Sequence, residues 1–165
     1  MDFMTLHEFS AELYKSAISR SIRDLTWVIP TTQSIHIVSV AVVVGAALVS
    51  DLRLAGVLAT DETPQTVVRR YLPWLWTALA VLVATGTIMT VGEPNRVLTN
   101  AVFWTKMGLV LFAFVLTLLF RLPILRADFR LEHAPIRALV KPMAWASLLV
   151  WIAVIFCGRW IAYVI

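Results

Sequence analysis

The sequence predicts an all-α membrane protein, an antiparallel bundle of four transmembrane helices preceded by an N-terminal amphipathic helix at the membrane interface. Two observations carry this prediction. Hydrophobic residues make up 60% of the 165 residues and charged residues only 15%, which is more apolar than a soluble domain of this size requires. Four apolar stretches also reach about 20 residues, the length at which a helix crosses a hydrocarbon core of about 30 Å.

The chain is basic, with a formal net charge of +4. Its lysines and arginines are scattered between the apolar stretches instead of lining one face. Basic residues in this arrangement bind anionic headgroups at the membrane surface. We therefore expect the lipid bilayer as partner and no nucleic acid binding, while a membrane protein partner or a second copy of the chain stays open.

Residues 5–25 are predicted to form the amphipathic helix. Apolar side chains recur there at three- and four-residue spacing, and charged side chains occupy the rest of the helical wheel. The apolar positions are Leu6, Phe9, Leu13, Ala17, Ile18, Ile22 and Leu25. A helix of this kind lies along the membrane interface, and docking on a partner protein is the alternative.

The first transmembrane helix is predicted over residues 31–54. No charged residue separates His36, near its start, from Asp51, near its end. Pro30 cannot continue a helix backwards, so the pattern places the start at Thr31 or the next residue. The helical face of His36 continues through small and apolar residues, which predicts that the histidine faces the bundle interior.

The other three spans are predicted over residues 71–91, 101–120 and 143–165. Their boundaries fall at residues typical of helix ends, namely Gly92-Glu93-Pro94-Asn95, Thr99 or Asn100, and Pro142. The stretch 121–141 carries five basic side chains and two prolines, which predicts an interfacial connector. Small residues in the first two spans allow close helix packing; they are Ser39, Ala46, Ala47, Ser50, Ala78, Ala80, Ala84 and Gly86.

Eight lysines and arginines lie in the first and third connectors, against five on the opposite side of the membrane. Cytoplasmic loops carry the excess of basic residues in membrane proteins. The count therefore predicts that both connectors are cytoplasmic and that both termini are periplasmic.

Three segments resemble an uncharacterised family of bacterial four-helix membrane proteins. They are Thr31 to Leu54 with His36 and Asp51-Leu52-Arg53-Leu54, then Phe103-Trp104-Thr105-Lys106, then Cys157-Gly158-Arg159-Trp160-Ile161-Ala162-Tyr163. The resemblance covers nearly the whole chain and implies a four-helix fold in the bacterial inner membrane, with no assigned activity. A looser likeness to the membrane domain of copper-resistance protein D rests on His36 and Lys106, which match a histidine and a lysine near the starts of two helices of that domain.

Polar and sulfur-bearing side chains are predicted to meet at similar depth in the outer half of the bundle. The candidate ligand or metal residues are His36, Met89 and Cys157, and the candidate polar cluster is Lys106, Arg159 and Glu93. Ionisable residues within a membrane commonly face the bundle interior and mark a site. In the simpler interpretation, His36 bonds a neighbouring helix, Lys106 reaches the headgroups or pairs with Glu93, and the sulfur side chains fill space.

Two cofactors fit these candidates. A histidine, a methionine and a cysteine form a soft ligand set for Cu(I). Haem b is the competing interpretation; because the spans contain no second histidine, His36 and Met89 would have to serve as its axial ligands.

At the opposite end of the bundle, Asp51, Arg53 and Arg121 are predicted to lie at the cytoplasmic interface. Asp51 and Arg53 are two residues apart and do not face each other on a helix, so Arg121 and Arg70 are the candidate partners of Asp51. About 22 Å of helix separate His36 from Asp51, so these two residues belong to independent sites.

The sequence contains no phosphate-binding glycine loop, no Ser-His-Asp arrangement and no paired carboxylates within a span. These absences disfavour hydrolase and nucleotide-driven roles. We expect a non-catalytic binding or accessory protein of the inner membrane. A copper-handling site in the outer half of the bundle is the finer hypothesis. The alternative class is a redox subunit that binds haem or serves quinone.

Overall fold

The computed structural model describes residues 3–125, 137–161 and 163, and every regular element within these ranges is helical. The helices are α1 (Phe3–Lys15), α2 (Ala17–Asp24), α3 (Val28–Ala55), α4 (Pro64–Gly92), α5 (Pro94–Leu98), α6 (Ala101–Leu116), α7 (Leu122–Ile124) and α8 (Arg137–Trp160). A π-helical turn, Thr117–Arg121, joins α6 to α7. Four helical segments are long and apolar enough to cross a membrane: α3, α4, α8, and α6 together with the π-turn and α7. The predicted class, an all-α multi-pass membrane protein, is confirmed.

The four long segments form one bundle in which α3 packs against α4 and α8, and α8 packs against α6. Helix α4 also contacts α6, because Trp76 and Phe114 make an edge-on ring contact with centroids 5.3 Å apart. Each of the four long segments therefore contacts two others. The central core is apolar and consists of Val43, Ala46, Ala47, Leu75, Ala78, Ala113, Trp151 and Val154. A second apolar cluster fills the end where α3 stops, with Leu54, Ala55, Val68, Ile124, Val140 and Ala144. Because these residues come from helix ends and helix starts, successive spans run antiparallel.

Small residues let α3 approach its neighbours, as the sequence predicts. Five of the eight predicted packing residues are buried, namely Ser39, Ala46, Ala47, Ser50 and Ala78. Ala80 and Ala84 are exposed and Gly86 is half-buried, so the prediction is wrong for these two alanines. The rotation of α4 about its own axis explains the difference, because it places Ala80 and Ala84 on the outer side of the bundle and Ala78 toward α3.

The N-terminal segment is two helices and not the single helix predicted over 5–25. Ser16 interrupts it with an extended backbone (φ −63°, ψ 152°), and its hydroxyl accepts a hydrogen bond from the Ser19 amide at 3.2 Å. Serine competes with the helical backbone for hydrogen bonds and therefore favours such breaks. Large apolar side chains of this segment stay exposed, which suits the predicted position at the membrane interface; they are Phe9, Ile18, Leu25 and Trp27.

Arg23 fastens this N-terminal pair of helices to the bundle. Its guanidinium donates to the carbonyl of Gly92 at the end of α4 at 3.3 Å and to the carbonyl of Tyr14 in α1 at 2.9 Å. It also lies 3.7 Å from the centre of the Tyr14 ring. The segment is therefore tied to the end of α4 by a charged group as well as by apolar contacts.

The predicted start of the first span is wrong by about one turn. Helix α3 begins at Val28, so Pro30 lies inside its first turn. A proline is tolerated there because the first amides of a helix have no intrahelical acceptor. At the other end Gly56 closes the helix with a left-handed backbone (φ 79°), a conformation that glycine adopts without steric cost.

The second and third spans are longer than predicted. Helix α4 begins at Pro64 and is capped by Thr63, whose hydroxyl accepts from the Thr66 amide at 3.2 Å. The predicted cap of the third span is confirmed at Asn100, which accepts from the Val102 amide at 2.9 Å. That span then continues past Phe120 through the π-turn and α7.

The fourth span begins earlier than predicted. Helix α8 starts at Arg137 and contains Pro142, because the apolar packing of Val140 and Ala144 against the bundle end outweighs the backbone bond that the proline lacks. Most of the predicted connector 121–141 lies outside the described residues, but Arg121 and residues 137–141 are helical and not connector. Helix α8 ends at Trp160, short of the predicted residue 165, and residues 164–165 lie outside the described part of the chain.

Candidate functional site

His36 of α3 is half-buried and contacts α4. Its Nδ1 lies 2.8 Å from Oγ1 of Thr85, and that hydroxyl donates to the carbonyl of Val81 at 2.7 Å. A threonine hydroxyl has one proton to donate. If that proton goes to Val81, His36 donates from Nδ1 to Thr85, and the neutral ring carries its lone pair on Nε2.

The residues around His36 determine the position and orientation of its imidazole ring. On α3, Val43, Ala47 and Ser50 continue its helical face and are buried, which agrees with the prediction that His36 faces inward. On α4, an added Cβ at Gly86 would lie 3.7 Å from Cε1 of His36. The ring therefore packs beside the α4 backbone and is oriented by Thr85, with Nε2 as the atom left for a further partner.

Lys106 brings a cation to the same end of the bundle. Its side chain extends from α6 to α8, where Nζ lies 3.6 Å from the position of a Cβ added at Gly158. Lys106 is half-buried, and its ammonium lies against α8 at Gly158, the sequence neighbour of Cys157. Within the described parts of the chain it makes no ion pair, because Glu93, its predicted partner, is 3.0 Å from Arg96 instead.

Of the two sulfur candidates, Cys157 lies beside the Lys106 side chain through its neighbour Gly158, and Met89 lies on the same helix as Thr85. Cys157 is a half-buried free thiol that immediately precedes Gly158. Met89 is half-buried on α4, four residues beyond Thr85 and hence on the same helical face. We define the His36 cluster as His36, Thr85, Lys106 and Cys157, with Met89 beside it.

Two members of the predicted polar cluster lie apart from it. Arg159 is exposed, donates to the hydroxyl of Tyr163 and lies 4.9 Å from the centre of that ring. Glu93 is engaged with Arg96 at the start of the short helix α5. No group of three or more histidine, cysteine or acidic side chains in the described residues is arranged to hold a metal ion.

At the opposite end, Asp51 and Arg121 are buried inside the bundle. The Nη2 atom of Arg121 is 2.7 Å from Oδ1 of Asp51, and the side chains are 4% and 2% exposed. Of the two candidate partners of Asp51, the structure therefore selects Arg121. Arg70 instead forms two hydrogen bonds to the carboxylate of Glu62.

Arg53 lies in the last turn of α3, at the end of the bundle, and has a structural contact there. Its Nε donates to the carbonyl of Glu62 at 2.7 Å, so it holds the connector between α3 and α4. Because Arg70 holds the carboxylate of the same residue, Glu62 is bound through both its main chain and its side chain. The connector is thus fixed to the two helices that it joins.

Sequence reasoning missed two residues that complete these sites. Thr85 orients His36, and Ser147 of α8 lies 3.5 Å from Nη2 of Arg121. Hydroxyl side chains within a span ordinarily bond to their own helix, as Thr87 and Thr90 do here. Thr85 and Ser147 also contact another helix, and only the packing of the helices distinguishes them from the hydroxyl residues that do not.

A family model described as a family of unknown function (DUF6644) matches residues 23–164. Searches of curated proteins and of solved structures gave no match. The predicted likeness to an uncharacterised family is confirmed, whereas the looser likeness to copper-resistance protein D has no support in these comparisons.

Proposed function

The chain belongs to the family of unknown function DUF6644, and we propose that it is a non-catalytic binding protein of the membrane whose His36 cluster holds a ligand. One observation carries the proposal, namely the Lys106 ammonium that lies within a span and makes no ion pair in the described parts of the chain. An intramembrane cation is costly unless a counter-charge or water accompanies it. A bound anionic group supplies that counter-charge.

The other groups of the cluster define the ligand further. Nε2 of neutral His36 accepts a hydrogen bond, and Lys106 donates up to three. A ligand with an anionic or carbonyl oxygen beside a hydroxyl satisfies both side chains. Acidic amphiphiles have this chemistry, whereas a neutral quinol, the ligand of the alternative redox role, offers hydroxyl groups without the counter-charge.

Copper is the second candidate, favoured by the orientation of His36. Thr85 directs Nδ1 toward α4 and leaves the Nε2 lone pair available, which is how partners outside the metal shell orient ligating histidines. Cys157 at the same end offers a thiolate, and imidazole with thiolate suits Cu(I). No third histidine, cysteine or acidic side chain groups with these two among the described residues, so Met89 is the remaining candidate for a third ligand.

Mass spectrometry of the protein purified in lipid nanodiscs tests the anionic ligand. We expect wild type to retain an acidic molecule that Lys106→Met loses and Lys106→Arg keeps. Arg159→Met is the matched control, because it removes a cation from the same end that is already engaged with Tyr163. If no molecule is retained, or if the two methionine variants behave alike, Lys106 is not a ligand-binding residue.

Metal analysis and a visible spectrum of the same samples separate the other candidates. Copper bound after anaerobic loading with Cu(I) and lost in both His36→Ala and Cys157→Ser would favour copper handling. A Soret band lost in His36→Ala would favour haem. If the wild-type protein is colourless and copper-free, and His36→Ala does not affect its stability, the histidine has only a structural role through its bond to Thr85.

A further inference from the structure

The buried ion pair at the other end of the bundle leaves one oxygen without a partner. Oδ1 of Asp51 accepts from Arg121, whereas Oδ2 is buried and has no hydrogen-bond partner among the described residues. The whole Asp51 residue is 2% exposed. A buried acceptor that lacks a partner costs about 1 to 3 kcal/mol, so this oxygen calls for a donor that the protein itself does not provide.

A small cavity lies beside the ion pair. Its volume is about 20 Å³, and its polar lining consists of Asp51, Arg121, Ser147 and Thr117, with apolar side chains around them. A cavity needs roughly 10 to 15 Å³ and two to four polar partners to hold a water molecule. The space is therefore sufficient for one water-sized molecule.

The charges around the cavity decide what kind of molecule fits. Asp51 and Arg121 neutralise each other at 2.7 Å. A bare cation at Oδ2 would be repelled by the adjoining guanidinium, and a bare anion would be repelled by the carboxylate. A neutral molecule that donates hydrogen bonds avoids both repulsions.

Two hydroxyl groups offer the remaining partners. Ser147 lines the cavity, and its hydroxyl accepts a hydrogen bond from Nη2 of Arg121 at 3.5 Å, while Oδ2 of Asp51 has no hydrogen-bond partner among the described residues. Thr117, in the π-turn, donates its proton to the carbonyl of Ala113 at 3.0 Å and keeps lone pairs that accept. The wide turn is also where Arg121 leaves its helix toward Asp51, and such turns are frequent at functional sites.

We propose that this cavity binds one water molecule, which donates to Oδ2 of Asp51 and bonds to the hydroxyl of Ser147. The pair of Asp51 and Arg121 is then a hydrated polar site enclosed between two apolar clusters, and not a dry salt bridge. The water satisfies the oxygen that the helices leave without a donor. It also gives an intramembrane carboxylate, of the kind that serves in proton relays, direct contact with a molecule that carries protons.

Water-edited solid-state NMR of the full chain in lipid bilayers, with ¹³C-labelled aspartate and leucine, tests the site. The readout is how fast polarisation from water reaches the Asp51 carboxyl. We expect a rate close to that of exposed Asp61, although Asp51 is buried. A rate as slow as that of Leu75 in the core would overturn the proposal.

Two further measurements identify the occupant and its partner. Ser147→Ala should slow the transfer to Asp51, whereas Ser50→Ala, an equally buried serine that donates to its own helix at Ala46, should not. Equal rates in the two variants would contradict the role of Ser147. The buffer cation is then changed from choline to sodium. A shift of the Asp51 carboxyl signal on this change would show that a cation occupies the cavity, and the proposal of a water site would be wrong.

Discussion

Arg121 donates a hydrogen bond to Oδ1 of Asp51 at 2.7 Å across 70 positions of the sequence, and both side chains are almost completely buried. The contact joins the end of the third span to the end of the first. It lies between the central core and the apolar cluster at the bundle end. The pair is thus part of the packing between spans and not a surface contact with lipid headgroups.

Removing one partner of this pair should destabilise the protein strongly. A single Asp51→Leu or Arg121→Met variant leaves one buried charge without its counter-charge, which costs about 3 to 5 kcal/mol. The double variant Asp51→Leu with Arg121→Met should recover most of that loss, because an apolar pair needs no desolvation of charge. Unfolding free energies measured by SDS titration report both effects.

The exposed pair of Glu62 and Arg70 is the control for that experiment. Its arginine side chain is 53% exposed, so Arg70→Met should cost no more than about 1 kcal/mol. Single variants at Asp51 and Arg121 that cost no more than Arg70→Met would show that the buried pair is not a structural requirement.

Thr85→Val should weaken the fold by about 1 to 3 kcal/mol, because the near-isosteric valine deprives Nδ1 of His36 of its acceptor. Thr87→Val is the matched control. Thr87 is exposed and donates only to the carbonyl of Val83 in its own helix, so its replacement should change stability little. Thermal unfolding in a single detergent compares the two, and equal midpoints would remove Thr85 from the His36 cluster.

Gly92→Ala should loosen the N-terminal helices. A Cβ at this position would meet Ile29 at 3.0 Å and Ile22 at 3.1 Å, and crowding of this kind typically costs about 1 to 3 kcal/mol. Gly45→Ala, in the middle of α3, meets no atom within 4 Å and should be neutral or slightly stabilising. Proteolysis between α2 and α3 measures the loosening, and equal cleavage of the two variants would contradict the tight contact.

The excess of basic residues predicts that the connector between α3 and α4 is cytoplasmic. In a Cys157→Ser background, a cysteine at exposed Asp61 should resist an impermeant maleimide in intact cells, and a cysteine at exposed Asn95 should react. Inverted membrane vesicles should reverse the pattern. The opposite result in intact cells would invert the topology.

The sequence alone was sufficient for the number and class of the spans. A membrane helix must satisfy its backbone hydrogen bonds internally and present apolar side chains to lipid, so length and hydropathy identify it without reference to the rest of the chain. The same local logic located the cap at Asn100 and the inward face of His36. It misplaced the helix starts at Pro30 and Pro142. Pro30 is tolerated because it lies in the first turn of α3, whereas Pro142 lies inside α8, whose start packs against the bundle end.

The partners within the bundle were decided only by the tertiary structure. Local spacing left Asp51 with two candidate arginines. Arg121 was selected because α3 and α6 both pack against α8 and the π-turn after α6 carries Arg121 to Asp51 in a buried site. Likewise, Thr85 is one of several span hydroxyls that the sequence does not distinguish, and the rotation of α4 against α3 places it at His36. The energy of a buried polar group depends on which atom of another helix it contacts. Helix rotation and depth determine that atom, and the periodicity of a single segment contains no information on either.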